Sequence, residues 1–409
     1  MANKPELRLT DQQRFDWLRL FRSENVGPRT FRALVTNCGS VASALKALPD
    51  LARRGGAKRP VRVASVEEVE KELIAARKLG VRFVALGEAD YPPALHEIDS
   101  APPILALRGQ AAALRKAAVA IVGSRNASAA GLTFAERLAR GLGQGGYVVV
   151  SGLARGIDQR AHVASLETGA VGVLAGGHGK PYPGEAVPLM ERMIESGAVV
   201  SEMPIEWEPR GRDFPRRNRI VSGLALGVVV VEAARGSGSL ITARFAVEQN
   251  RQVFAVPGSP LDPRAEGTND LLKQGASICT GADDVLTALE PVRPRDFTAM
   301  RETSGEPGEP LWGEQALYGV DPQSTPRTRP GEEFDDVSGA PYGAGDEAEA
   351  ARERIVALLG PSPITLDELA RAAETSARAV RVALLELEVA GRVEYSGDRV
   401  ALRTTASEL

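Results

Sequence analysis

AVAIVGSRNASAAGLTFAERLARGLGQGGYVVVS, residues 118–151, is the stretch whose reading decides the fold. An unbroken apolar run (118–123) passes through a loop of Gly, Ser, Arg and Asn into a helix-forming window near 131–145, and a second apolar run (147–151) follows. A strand that is apolar on both faces is buried on both faces, which calls for a parallel sheet covered by helices. The alternation continues outward. Strands are predicted at 118–123, 147–151, 171–175, 198–201, 226–231, 252–256 and 277–280, with helices near 131–145, 156–168, 185–196, 216–224, 239–250 and 267–275. The pattern predicts an α/β core of Rossmann-like, doubly wound, mostly parallel architecture.

Smaller units flank that core. Residues 12–23, 30–36 and 40–48 read as helices around a Val26-Gly27-Pro28 turn, so 1–60 is a small helical domain of SAM-like or helix-hairpin-helix type. The hairpin amides either contact a phosphate or simply pack. The core, taken as 61–290, opens with a helix at 66–79, whose Ser65 and Glu68 have capping-box spacing, and a strand at 81–86. A proline-rich connector then leads to a short strand at 104–108. Residues 291–345 are rich in Pro, Gly, Glu and Asp without any period and read as a disordered acidic linker. Residues 346–409 give three helices (349–359, 365–373, 376–390) and a two-stranded wing, a winged helix.

The formal charge of −3 conceals an asymmetry. Between residues 301 and 350 twelve acidic side chains face three basic ones, a net −9, so the rest of the chain carries +6. That distribution suits a basic binding core with an acidic tether. Cys38 and Cys279 are too few for a disulfide scaffold or a cysteine-based zinc site, and His96, His162 and His178 lack the spacing of a metal set. No apolar run reaches the ~20 residues of a membrane span, and the N-terminus has no signal core, so a cytoplasmic protein with no metal or cofactor is expected.

In an open parallel sheet, ligands sit beyond the carboxyl ends of the strands. The informative loops are therefore those that follow strands. The first, 122–128, offers Gly123 for close backbone approach, the Ser124 and Ser128 hydroxyls, Arg125 and a helix start. It lacks the glycines of the dinucleotide fingerprint. The second, 151–162, carries Arg155, with Asp158 and His162 one helical turn apart. These two are an acid–base pair or, as the plainer reading, a helix cap and a packed ring. The third, 174–186, places Lys180 among glycines. His178 there has no nucleophile or third orienting group nearby.

The fourth loop, RGRDFPRRNRI at 210–220, holds Arg210, Arg212, Arg216, Arg217 and Arg219 around Phe214 and Asn218. Guanidinium forks pair bidentately with phosphate, and an aromatic ring offers a face for a base. The competing reading is a solvated surface paired with Glu206, Glu208 and Asp213. In the fifth, 232–244, Ser237, Gly238 and Ser239 form a phosphate nest without a Walker lysine. Together these loops predict a groove for a polyanion, foremost single-stranded nucleic acid.

The same loops resemble the DprA/Smf family of DNA-processing proteins. The matching pieces are VGSRNAS (122–128), SGLARGIDQRAH (151–162), GKPYPGEA (179–186), SEMP (201–204), FPRRNRIVSGLA (214–225), SGSLITA (237–243), VFAVPG (253–258) and GTNDLLKQGA (267–276). The likeness is close over about 118–280. One departure is AGGHGKPYPGEA, where the family commonly has Gly-Cys-Gly followed by YP and an Asn. The resemblance implies a protein, without catalysis, that binds single-stranded DNA independently of sequence, protects incoming DNA and helps load a RecA-type recombinase in natural transformation. It also implies a homodimer. Carried onto this chain, the strand-binding residues are Ser124, Arg125, Lys180, Phe214, Arg217, Asn218, Arg219, Ser237, Gly238 and Ser239, and Gly123 joins them for its close backbone approach. Arg210 and Arg212 are added on charge alone.

Two other readings stay open. One is an enzyme like the nucleoside-monophosphate phosphoribohydrolases, although RGSGSLITARFAVE replaces their PGGxGTxxE motif. The other is a duplex-DNA regulator acting through the winged helix, whose candidate recognition helix sets Glu386 and Glu388 against Arg378 and Arg381.

Overall fold

The computed structural model describes residues 8–293, 346–397 and 399–403. The linker expected at 291–345 lies almost entirely outside them. The described chain forms two compact bodies, one from residues 8–14 and 67–293, the other from 15–66 and 346–403.

The first body is built on a nine-stranded sheet. Its strands are β1 (Arg82–Ala85), β2 (Ile104–Gly109), β3 (Ala118–Val122), β4 (Val148–Ser151), β5 (Ala170–Val173), β6 (Ala198–Ser201), β7 (Gly227–Val230), β8 (Gln252–Ala255) and β9 (Ser277–Ile278), in the order β1-β2-β6-β5-β4-β3-β7-β8-β9. Pairing is parallel from β6 through β9, whereas β1 and β2 add an antiparallel edge beside β6. The mostly parallel Rossmann-like core is as the sequence predicts. The sequence pattern had given no place in the sheet to the two strands before it.

The strands are apolar throughout because both faces are covered. On one face Val119, Ile121, Val149, Val229 and Phe254 pack with Leu138 and Leu142 of a helix at Ala129–Gln144 and with Val285 and Leu289 of another at Ala282–Leu289. On the other, Leu153, Leu174 and Val199 pack with Met190 and Met193 of a helix at Val187–Ser196. Strand order runs one way from β3 to β6 and the other way from β7 to β9. The loops leaving β3 and β7 therefore diverge, and a crevice opens between them.

The second body contains α1 (Asp11–Arg22), whose first residues belong to the other body, α2 (Pro28–Cys38) and α3 (Val41–Arg54). It also contains helices at Asp346–Leu358, Leu366–Ala372 and Ala377–Val389 and a three-stranded sheet. Trp17, tilted, and Phe21, edge-on, pack against Phe31 to close the helical layer, at centroid distances of 5.1 and 6.3 Å. The winged-helix core is Ile355, Leu369, Val380, Leu384, Leu387, Val393 and Val400. Its wing strands, Val393–Ser396 and Arg399–Leu402, gain a short partner at Ile364–Thr365 that the sequence pattern is too brief to signal.

Candidate nucleic-acid interface

A cavity of about 390 Å³ occupies the crevice between β3 and β7. Its walls come from the loops after β3, β4 and β7 and from the helix Asp213–Gly223. Of the residues singled out from sequence, Gly123, Ser124, Arg125, Phe214, Arg217, Asn218, Ser237, Gly238 and Ser239 all line it. Residues more than a hundred positions apart thus converge because the strand order reverses here.

Arg217 forms the floor. It is 6% exposed and donates from Nη1 to the Val173 carbonyl at 2.9 Å, while its Nε finds no partner. Burial pulls its pKa down to about 10, with Asp158 opposing and Arg125 adding to the fall, so it remains a cation at neutral pH. A Cβ at position 152 would overlap this guanidinium, so glycine there lets Arg217 reach the cavity. The following Leu153 is held at φ 60° with its side chain fully buried. That anchored turn aims the Gly152 and Ala154 amides at Asp158, at 3.1 and 3.4 Å. Asp158 therefore ties down the loop. Burial raises its pKa, and the Arg217 charge opposes the rise.

Above the floor, Phe214 is half-buried, with the Arg125 guanidinium 5.3 Å from its centroid and Tyr182 edge-on at 5.5 Å. Asn218 donates to the Gly238 carbonyl at 3.1 Å and so fixes the arginine helix to the serine loop. Ser237 caps the helix Gly238–Glu248, accepting from the Ser239 amide, and its hydroxyl lies 2.7 Å from that of Ser239. Arg235, Asn126 and Thr242 also line the cavity. The sequence reading counted the Thr242 hydroxyl in the nest but assigned no role to Asn126 or Arg235, although Arg235 stands in the same nest as Ser237.

Other expectations need correction. The start of the helix after the first loop, Ala129–Gln144, is already partly occupied by a carboxylate of this chain. The Glu232 carboxylate accepts from the Ser128 amide at 2.9 Å and hydroxyl at 2.5 Å, and Ser128 caps the Gly131 amide. Arg219 is 6% exposed and paired with the buried Glu202, which also holds Arg216 at 2.9 Å. Its place is structural, outside the cavity lining. The carboxylate that answers the cluster is Glu202, which the competing surface reading did not name. Asp213 instead accepts from the Arg210 amide and the Trp207 indole and shapes the entry to the helix.

Lys180, Arg210 and Arg212 are exposed and lie off the lining, Arg210 resting 4.8 Å from the Trp207 centroid. His162 and His178 are buried away from the cavity. Among the described residues no cluster of His, Cys, Asp or Glu is placed to hold a metal ion, and no helix is long and apolar enough to cross a membrane.

Fold and site together define a Rossmann-like protein with a cationic crevice at its topological switch point, accompanied by a helical domain and a winged helix. The model of the family DNA recombination-mediator protein A matches residues 82–290, that of the DprA-like N-terminal HHH domain 11–75, and that of the DprA winged helix domain 339–398. The chain belongs to this DprA/Smf family of DNA-processing proteins. It is 40% identical to the DNA processing protein DprA of Bacillus subtilis over 225 residues, 54% of this chain and 76% of that one. It is 28% identical to Protein Smf of Synechocystis over 400 residues, 92% of this chain and 95% of that one. The X-ray structure of DNA processing protein A from Streptococcus pneumoniae superposes with a TM-score of 0.56 at 31% identity, covering 69% of this chain and 98% of that one.

Proposed function

We propose that the crevice binds single-stranded DNA without reading its sequence. One phosphate sits over Arg217 and the Ser237–Ser239 turn, where the Gly238 amide opens the helix, a base rests on Phe214, and the strand leaves past Arg125, Lys180, Arg210 and Arg212. The observation that carries this is the buried Arg217 guanidinium, charged, facing a cavity and holding an unused N–H. Burying such a group is costly, Asp158 offsets part of that cost, and a bound phosphate would offset more. The base platform is sequence-tolerant because every base has a π-face. In this reading the bound strand is protected and passed to a RecA-type recombinase, and the working unit is a homodimer acting without catalysis. Against hydrolysis stands Asp158, the carboxylate of the lining, which is committed to two loop amides.

Fluorescence anisotropy with a labelled single strand and its duplex, across a salt series, tests the reading. The wild type should prefer the single strand. Arg125→Ala, which alters an exposed side chain, should weaken every sequence alike and flatten the log–log salt slope by ~0.7. Equal affinity for strand and duplex, or an unchanged slope, would sink it. Light scattering on the free protein tests the dimer.

A further inference from the structure

The second body joins surfaces of opposite charge. Residues 15–66 carry ten basic and three acidic side chains, a net +7. Residues 346–409 carry twelve acidic and eight basic, a net −4, and the stretch 301–345 before them adds −6. The recognition-type helix Ala377–Val389 packs on α2 and α3. Its Leu385, Glu386 and Val389 are buried yet lie outside the winged-helix core. Arg54 of α3 meets Glu386 at 2.7 Å, and Thr30 of α2 donates to Glu388 at 2.8 Å. Asn25, in the turn before α2, donates to the Val389 carbonyl at 3.0 Å. Arg29 donates to the Gly397 carbonyl at the wing tip and lies 4.5 Å from the Tyr395 ring centroid. A Cβ at Gly55 would overlap the Glu386 carbonyl, so the two backbones meet closely.

A helix that reads a groove presents cations to phosphates. This one presents carboxylates to arginines. We propose that the acidic C-terminal domain is an intramolecular competitor of nucleic acid: it covers a phosphate-binding face of the N-terminal helices, centred on Arg29 and Arg54, that a DNA backbone engages when the domain lifts. The carboxylates of Glu386 and Glu388 occupy positions where backbone phosphates would pair with the same donors. Binding to this face and closure are then mutually exclusive, and each weakens the other by the same factor.

The proposal does not rest on the crevice of the first body, and its test silences that crevice with Arg125→Ala/Phe214→Ala in the full chain. Hydrogen exchange of residues 383–389 reads closure, and anisotropy with a single strand and a duplex reads binding. Saturating DNA should deprotect 383–389 in the silenced chain. Adding Glu386→Gln/Glu388→Gln, which leaves the Arg54 and Thr30 donors in place, should loosen 383–389 and tighten binding several-fold. The same loss of charge at the exposed Glu353 and Glu394 should loosen nothing and change binding little, so the comparison separates release of the face from simple loss of charge. DNA that leaves 383–389 protected, or a silenced chain that binds neither DNA form, overturns the proposal, as does a loosened variant that binds no better. A gain for one DNA form only identifies the backbone geometry the face accepts.

Discussion

Arg217 and Arg219 are two positions apart and end in opposite circumstances. One helical residue between them turns Arg217 toward the Val173 carbonyl and the cavity, and Arg219 toward Glu202. Sequence alone supplied five arginines and an expectation of their ligand. It could not say which cations were already answered, because Glu202 becomes their neighbour only through the fold. Two substitutions separate the roles. Phe214→Ala should leave the denaturation midpoint nearly unchanged and cost ~1–3 kcal/mol of strand affinity, the worth of a stacked base. Arg219→Ala should do the reverse. It strands the buried Glu202 with Arg216 alone and should cost roughly 3 kcal/mol of stability in urea unfolding, while the folded fraction binds DNA as before. A loss of affinity in Arg219→Ala at full folding would return that residue to the DNA surface.

At the scale of elements, the strands were legible because burial on both faces demands apolar runs, and the observed ends fall within a residue or two of the expected ones. Partners were less legible. The pattern located the strands at 82–85 and 104–109 but not their antiparallel seat beside β6, since alternation marks burial and not neighbours. Helix α3 was expected to stop before Pro49 and runs on to Arg54. Leu48, Leu51 and Ala52 are all buried, and that packing outweighs the missing N–H. The β4 exit turn is the element on which the site depends. Gly152→Ala would push a methyl group into the Arg217 guanidinium, so strand affinity and stability should fall together, the latter by about 1–3 kcal/mol. The same substitution at Gly238, where a Cβ meets open space, should leave stability within ~1 kcal/mol. Equal effects at the two glycines would remove the steric argument.

For the whole molecule, the overall charge of −3 was the least informative number in the sequence, because opposite charges are segregated and then paired across more than three hundred residues. No local pattern announces such pairing. A second global property follows from two buried rings. Burial holds the pKa of His162 down to about 3 and that of His178 to about 4, the Ala106 carbonyl opposing the fall at His178. In the unfolded chain both titrate near 6.5. Below that pH the unfolded state takes up protons that the native state refuses, so stability is full above about pH 6.5 and drains away toward pH 4. At pH 5 each ring should cost about 2 kcal/mol. Asp158, whose pKa is raised by burial, acts in the opposite sense, gaining stability as acid protonates it. Carboxylates with lowered pKa, such as Asp284, bonded by Thr280, withdraw support only below their own unfolded values, near pH 4. The window between pH 6.5 and 5 therefore belongs to the histidines. Urea midpoints for the first body should fall steadily across it in the wild type and far less in His162→Gln/His178→Gln. A double variant as acid-sensitive as its parent would place the proton uptake elsewhere in the chain.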